Sequence, residues 1–361
     1  MKKSLLALAV LTAVTGAAYA QSSVTIYGKV DLGMVYDSGA AAGKSLRLDS
    51  GVTGGSRIGF KGVEDLGGGY KAAFQLETGI CVDSAAAQPT ALTVKNSSGA
   101  TVGTTTQSVP NFCTGSNNFM GRQAHGDLTG SFGALSAGRQ YSLGFNNLST
   151  IDPFGTGFAG QVNNIVDASG IRLNNSVTYT TPGIAGFTAS GEVAFGEQTG
   201  NWEANRETGA AITYANGPAY AGFTLYQVDN ANGNGSARRN YLLGGTYDFG
   251  VVKIHGLVQK SDGDPTGKPK LDGLALMGGV TVPLAGGSLM ASYIKYNDKA
   301  VTNQDASQVG VAYQYPLSKR TSIYTAFAKI QNQNGAAYTV GNATDTGTGN
   351  KAFNLGVVHN F

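Results

Sequence analysis

Charge is scarce in this sequence. Asp, Glu, Lys and Arg together make up 13% of the 361 residues, about half the usual share for a soluble domain. After the leader there is no run of 18 or more apolar residues, so helical membrane spans are excluded. Only 9 residues are Pro, and the 54 glycines keep no three-residue period, which rules out a collagen-like helix. These absences leave an all-β chain whose exterior is apolar without being continuous in sequence.

Catalytic and metal chemistry is equally thin. The three histidines, His125, His255 and His359, form no metal-spaced pair, and no Gly-x-Ser-x-Gly elbow occurs. Gly155-Thr156-Gly157-Phe158-Ala159-Gly160 matches a dinucleotide pattern, but it follows no strand and opens no helix, so it reads as loop flexibility. Asp262-Gly263-Asp264-Pro265 reads as a hydrophilic loop rather than a cation site. No enzyme activity, metal, cofactor or nucleic-acid partner is expected. The two cysteines, Cys81 and Cys113, fit no metal motif. Export to an oxidising compartment favours a disulfide between them over two separate thiols, restricting the unfolded chain by roughly 3–4 kcal/mol.

That export is written at the start of the chain. Lys2 and Lys3 precede an apolar Leu5 to Val14 stretch, and Ala18-Tyr19-Ala20 is a small-x-small cleavage motif. Residues 1–20 are therefore expected to be a cleaved signal peptide. Losing its two lysines takes the formal charge from +3 to +1. No later linker divides residues 21–361, which are expected to form one domain.

Short segments of alternating character recur through that domain. Val24, Ile26, Val30, Leu32 and Met34 share one face against Thr25, Tyr27, Lys29 and Asp31. Ile171, Leu173, Val177 and Tyr179 oppose Arg172, Asn174, Ser176 and Thr178, and the theme returns from Phe353 to Phe361. A period of two places successive side chains on opposite faces of a sheet. A soluble sandwich would turn the apolar face inward; a membrane barrel turns it to lipid and lines its lumen with the polar face.

The connections decide between these. Seven tight turns centre on 67–69, 129–133, 181–183, 216–218, 248–250, 283–287 and 316–318, and they alternate with longer polar stretches such as 81–117, 230–236, 261–270 and 332–350. Seven hairpins and one strand at each end give 16 antiparallel strands, with short turns on one side and long loops on the other. An even count lets the first and last strands meet, removing edges that lipid would not tolerate. Alternation weakens near Ile323 to Ile330, and His125 and Asp127 disturb it in the segment after Arg122.

Several segments resemble the Gram-negative trimeric porin family of β-proteobacterial type. They are Ser23 to Asp31, Ser56-Arg57-Ile58-Gly59-Phe60-Lys61-Gly62, Glu64 to Gly69, Gly138-Arg139-Gln140-Tyr141, Asn174 to Tyr179 and the terminal Phe361, in order along nearly the whole chain. The resemblance implies a homotrimer of 16-stranded barrels in the outer membrane, in contact with lipid and lipopolysaccharide. It assigns Phe361 to recognition by the outer-membrane insertion machinery. It also implies an inward-folded third external loop, Ser142 to Gly170, whose Ile151-Asp152-Pro153-Phe154-Gly155 looks like the acidic constriction motif. Opposite it, the family's basic wall maps onto Lys29, Arg57, Arg122 and Arg172, with Arg139 nearer the rim. Alternation supports Lys29, Arg57 and Arg172 as lumen-facing, because a charge facing lipid at mid-depth costs roughly 2–4 kcal/mol.

The function expected is passive diffusion of ions and small hydrophilic solutes through a water-filled channel, with a weak anion preference because bases outnumber the one acid. A substrate-specific channel, and a barrel serving mainly as adhesin or structural anchor, are the alternatives. An energised transporter would need an N-terminal plug, and strand-like sequence begins within a few residues of the expected cleavage point.

Overall fold

A computed structural model describes residues 23–83, 88–95, 101–109, 119–167 and 169–361, with the side chains of 88–95 and 101–109 left aside. The expected signal peptide, residues 1–20, and Cys113 lie outside the described residues; Cys81, at the edge of the second long loop, is disulfide-bonded. Among the described residues no helix is long and apolar enough to cross a membrane.

The wall begins with β1 (Ser23–Ala40), whose even-numbered Val24, Ile26, Met34 and Tyr36 stand exposed on the outside. Its odd-numbered Asp31, Val35 and Asp37 are buried inside, as strand alternation requires. A two-residue turn leads to β2 (Gly43–Ser50), which pairs with the upper part of β1, and β3 (Arg57–Gly67) pairs with its lower part. These two segments form one stave, interrupted by residues 51–56. After them come β4 (Tyr70–Gly79), a separate hairpin of β5 (Gln88–Lys95) and β6 (Thr101–Val109), then β7 (Gln123–Gly130), β8 (Gly133–Tyr141), β9 (Arg172–Thr180) and β10 (Phe187–Ala194).

The rest is a plain meander of β11 (Glu207–Asn216), β12 (Ala219–Asp229), β13 (Ser236–Asp248), β14 (Lys253–Gly263), β15 (Leu271–Leu284), β16 (Gly287–Asp298), β17 (Ala306–Pro316), β18 (Thr321–Asn332) and β19 (Lys351–Asn360). Each strand pairs antiparallel with the next, and β19 returns to β1 in continuous register from Lys29↔Asn360 to Ser38↔Lys351. Beyond β19, Phe361 and Gly28 exchange backbone hydrogen bonds of 3.1 and 3.0 Å. With β2 and β3 counted as one stave and the β5–β6 hairpin outside the wall, the barrel has 16 strands. All seven expected tight turns fall on one rim, and the long loops on the other.

Two departures from simple alternation carry structural information. Around Ile323 to Ile330 the inward residues Tyr324, Ala326, Ala328 and Ile330 are buried and mostly apolar, because the third long loop packs on them rather than water. In β9 the expected run from Ile171 to Tyr179 is broken by a bulge opposite Gly138, with Asn175 at φ +52°. As a result Leu173 turns inward, packing with Tyr226 and Ala194, while Asn174 is exposed; the sequence had placed both on the opposite faces.

Candidate functional site

The third long loop runs from Ser142 to Gly170 and lies inside the barrel. It opens with α1 (Leu143–Ile151), N-capped by Ser142, whose Oγ accepts from the Phe145 N–H at 3.0 Å and donates to the Gly170 carbonyl at 2.6 Å. The first-turn N–H of Leu143 donates to both carboxylate oxygens of Glu192 on β10, at 3.1 Å each. A carboxylate at a helix N-terminus is stabilised by the helix dipole, so Glu192 fixes where the loop enters the lumen.

The loop then follows a track of small inward residues across the wall. Asn147 sits against Gly222, donating to Thr224 Oγ1 at 2.9 Å and accepting from the Tyr220 hydroxyl at 2.9 Å. Ile151 meets Gly244, Pro153 meets Gly279, and Phe154 meets Gly310, where an added Cβ would clash at 2.8, 2.4 and 3.2 Å respectively. Farther on, Gln308 donates to the carbonyls of Gly160 and Gln161 at 2.8 and 3.1 Å. Residues 51–56 project inward from the broken stave to complete the cradle. The carbonyl of Val52 accepts from the Phe158 N–H at 3.0 Å, and Gly157 abuts the Thr53 carbonyl.

What remains between this loop and the β1–β9 wall is a polar cleft. Lys29, Arg57, Arg122 and Arg172 line it together with Tyr141. Facing them on the loop are the neutral Asn146, Ser149 and Thr156. Lys29 and Arg57 are Cα partners across β1 and β3, so one pleat presents both. Arg122 precedes β7 and reaches inward through its partners: its Nε donates to Glu77 at 2.7 Å and an Nη donates to Tyr141 at 2.8 Å. Arg172 donates to the same Tyr141 hydroxyl at 2.8 Å and lies 4.5 Å from that ring's centre. A phenolic oxygen accepting from two guanidiniums, with a ring stacked under one of them, holds both cations in place.

Glu77 is the acid that the sequence reading missed. It is 3% exposed on β4, Cα-paired to Gly59, with Arg57 Nε at 3.4 Å and the Tyr27 hydroxyl donating at 3.0 Å. One signal was available: Gln75 and Glu77 share the polar parity of their strand, on the same side as Tyr27. A buried carboxylate bridging two arginines keeps them extended instead of letting mutual repulsion splay them.

Two expected site residues stand elsewhere. Arg139 follows the bulge at Gly138, where it donates to the Gly121 carbonyl at 2.6 Å and to Asn174 Oδ1, clear of the cleft. Asp152 is 4% exposed and turned into its own loop, accepting from the N–H groups of Phe154, Thr156 and Val162 at 3.2, 2.9 and 3.1 Å. It braces the turn after α1 and presents no charge to the lumen. Burial outweighs those three donors and pushes its carboxyl up to about 6. The histidines are dispersed: His125 pairs with Asp127 at 3.0 Å, and His255 contacts the Ile151 carbonyl at 2.7 Å. No metal-binding cluster occurs among the described residues.

Residues 7–335 match the family described as Gram-negative porin. Outer membrane porin protein 32 of Delftia acidovorans is 36% identical over 356 residues, covering 93% of this chain and 91% of that protein. An outer membrane porin protein of Bordetella pertussis is 30% identical, with 94% and 99% covered. Among solved structures, the anion-selective porin from Comamonas acidovorans superposes with a TM-score of 0.75 at 28% identity, covering 94% of this chain and all of that one.

Proposed function

This chain belongs to the Gram-negative porin family, and from that premise we propose that its basic cleft is the selectivity region of a channel that favours anions. The protein is an outer-membrane β-barrel for passive diffusion of small hydrophilic solutes. The carrying observation is the charge balance of the cleft: its lining holds four bases and no carboxylate, with Glu77 behind Arg57 and Arg122, Asp31 beside Lys29, and a neutral loop face opposite. Fixed charge of one sign in a narrow aqueous path favours counter-ions. Asp152 is turned into its own loop, but Glu77 on the basic wall takes its place in the charge balance, so the preference for anions is a weak one.

The same reading takes the long-loop rim as external. Lys260, Lys295 and Lys329 face outward and exposed, each three residues from the loop-side end of its strand. Placed there, ammonium groups meet phosphates of lipid or lipopolysaccharide instead of hydrocarbon. A homotrimer, and recognition of the terminal Phe361 by the outer-membrane insertion machinery, belong to the same reading; supporting it, Phe361 lies at the barrel seam and exchanges backbone hydrogen bonds with Gly28. Planar-bilayer conductance with liposome swelling over a solute series tests the channel. Graded, size-limited permeation is expected; no conductance would overturn the reading, and uptake of one solute alone would favour a specific channel.

A further inference from the structure

A second cavity lies inside the barrel at the long-loop rim, on the side away from the basic cleft. Its volume is ≈ 500 Å³, within the range of about 300–1,000 Å³ usual for small-molecule sites. It continues down to the third loop through a smaller space that shares Arg238, Leu271, Tyr296 and Tyr338 with it. The walls are largely apolar, from Pro265, Pro269 and Leu271, and two aromatic rings meet there: Tyr296 and Tyr338, 6.0 Å apart at 66°. A water-filled diffusion path has no need of such a lining.

The polar groups of the lining are unequally committed. The Asp298 carboxylate is consumed by its own loop, accepting from the Ala300 and Gln304 N–H groups and the Thr302 hydroxyl at 3.0, 2.8 and 2.7 Å. Arg238 is paired with Asp167 at 2.8 Å. That leaves Lys268 and Lys270 at the upper edge against a single uncommitted carboxylate, Asp272. At the lower end Gln259 is 1% exposed; its amide nitrogen donates to the Asp167 carbonyl at 3.0 Å, while its carbonyl oxygen has no hydrogen-bond partner. A buried acceptor of this kind favours a ligand donor.

We propose that this cavity is a vestibular subsite for hydroxylated aromatic carboxylates, occupied before they reach the basic cleft. The ring packs against Tyr296, Tyr338 and Leu271, in the offset or edge-on geometry aromatic rings prefer. The carboxylate points up to Lys268 and Lys270, and the hydroxyl points down to donate to Gln259. The proposal rests on the channel reading above.

The test uses the full-length protein in planar bilayers, with 4-hydroxybenzoate, benzoate and acetate added in turn on the long-loop side. Transient blockades by 4-hydroxybenzoate are expected to last about tenfold longer than those by acetate, reflecting loss of the aromatic contact. Benzoate should fall between them. Tyr338→Ala should shorten 4-hydroxybenzoate and benzoate events together. Gln259→Leu, on the rigid wall, should lower 4-hydroxybenzoate to the benzoate level and leave benzoate unchanged. A conducting channel in which all three ions block alike, or in which Gln259→Leu affects both aromatic acids equally, would overturn the subsite alone. Absence of conductance would fail the channel reading, and this proposal with it.

Discussion

Glu77→Gln is the substitution that separates an electrostatic cleft from a merely polar one. The amide keeps the size of the side chain and one acceptor for Arg122 Nε, now held at 2.7 Å. It removes the carboxylate that Arg57 and Arg122 share, so the formal charge of the cluster becomes more positive by one unit. A unit charge acts on an ion about 6 Å away through water with roughly 0.7 kcal/mol. Screening over a Debye length of about 10 Å at 0.1 M salt reduces this to about 0.4 kcal/mol. Anions gain and cations lose by that amount, so the permeability ratio should move roughly fourfold toward anions. The assay is the reversal potential across a bilayer in a KCl gradient, repeated at 1 M salt, where the shift should largely vanish. A ratio that stays put at low salt, or moves toward cations, would refute the reasoning.

Arg57→Ala and Arg172→Ala should each lower the anion preference by a comparable factor in the same measurement; an unchanged ratio would remove that residue from the ion path. Tyr141→Phe takes away the oxygen shared by Arg122 and Arg172, so both guanidiniums should gain freedom and open-channel current noise should rise, with quiet traces counting against the role. At Gly310 an added Cβ would lie 2.7 Å from Gly160 Cα, so Gly310→Leu should unseat the third loop and change single-channel conductance; wild-type conductance would mean the loop is not seated on that track. Burial raises the Asp152 carboxyl from 3.8 to about 6, so the folded state holds its proton more tightly than the unfolded one. This group therefore favours the fold most below about pH 4, and that advantage is lost as pH rises to about 6. The melting-temperature advantage of wild type over Asp152→Asn should accordingly shrink from pH 4 to pH 7; a gap that is flat or widens would contradict the burial argument.

The barrel was legible because its constraints are local. Alternation at Val24 to Met34 and the Gly, Pro and Asn turns depend on neighbouring residues alone, so strand number and facing could be counted from the chain. Lys29 and Arg57 were placed for the same reason, since a charge in a clean alternating segment has only one tolerable face. Leu173 and Asn174 were misplaced because the bulge opposite Gly138 shifts parity through the positive-φ Asn175 and an unpaired position, which composition does not announce. Asp152 was misread for a different reason. Its partners are backbone N–H groups within ten residues of it, and an Asp-Pro pair looks the same whether its carboxylate faces water or its own loop. Glu77 went unnoticed because its meaning comes from Arg122, which lies 45 residues away and reaches it across the strand pair. The inward break at residues 51–56 is likewise visible only once the third loop is seen resting against it.

The most direct test of the central claim is the zero-current potential of the unmodified protein in a bilayer separating high from low KCl at neutral pH. Four bases lining the cleft, with no carboxylate among the lining residues, predict a stable, voltage-measurable conductance whose reversal potential lies on the chloride side. A potential on the potassium side, or no conductance at all, would contradict the account.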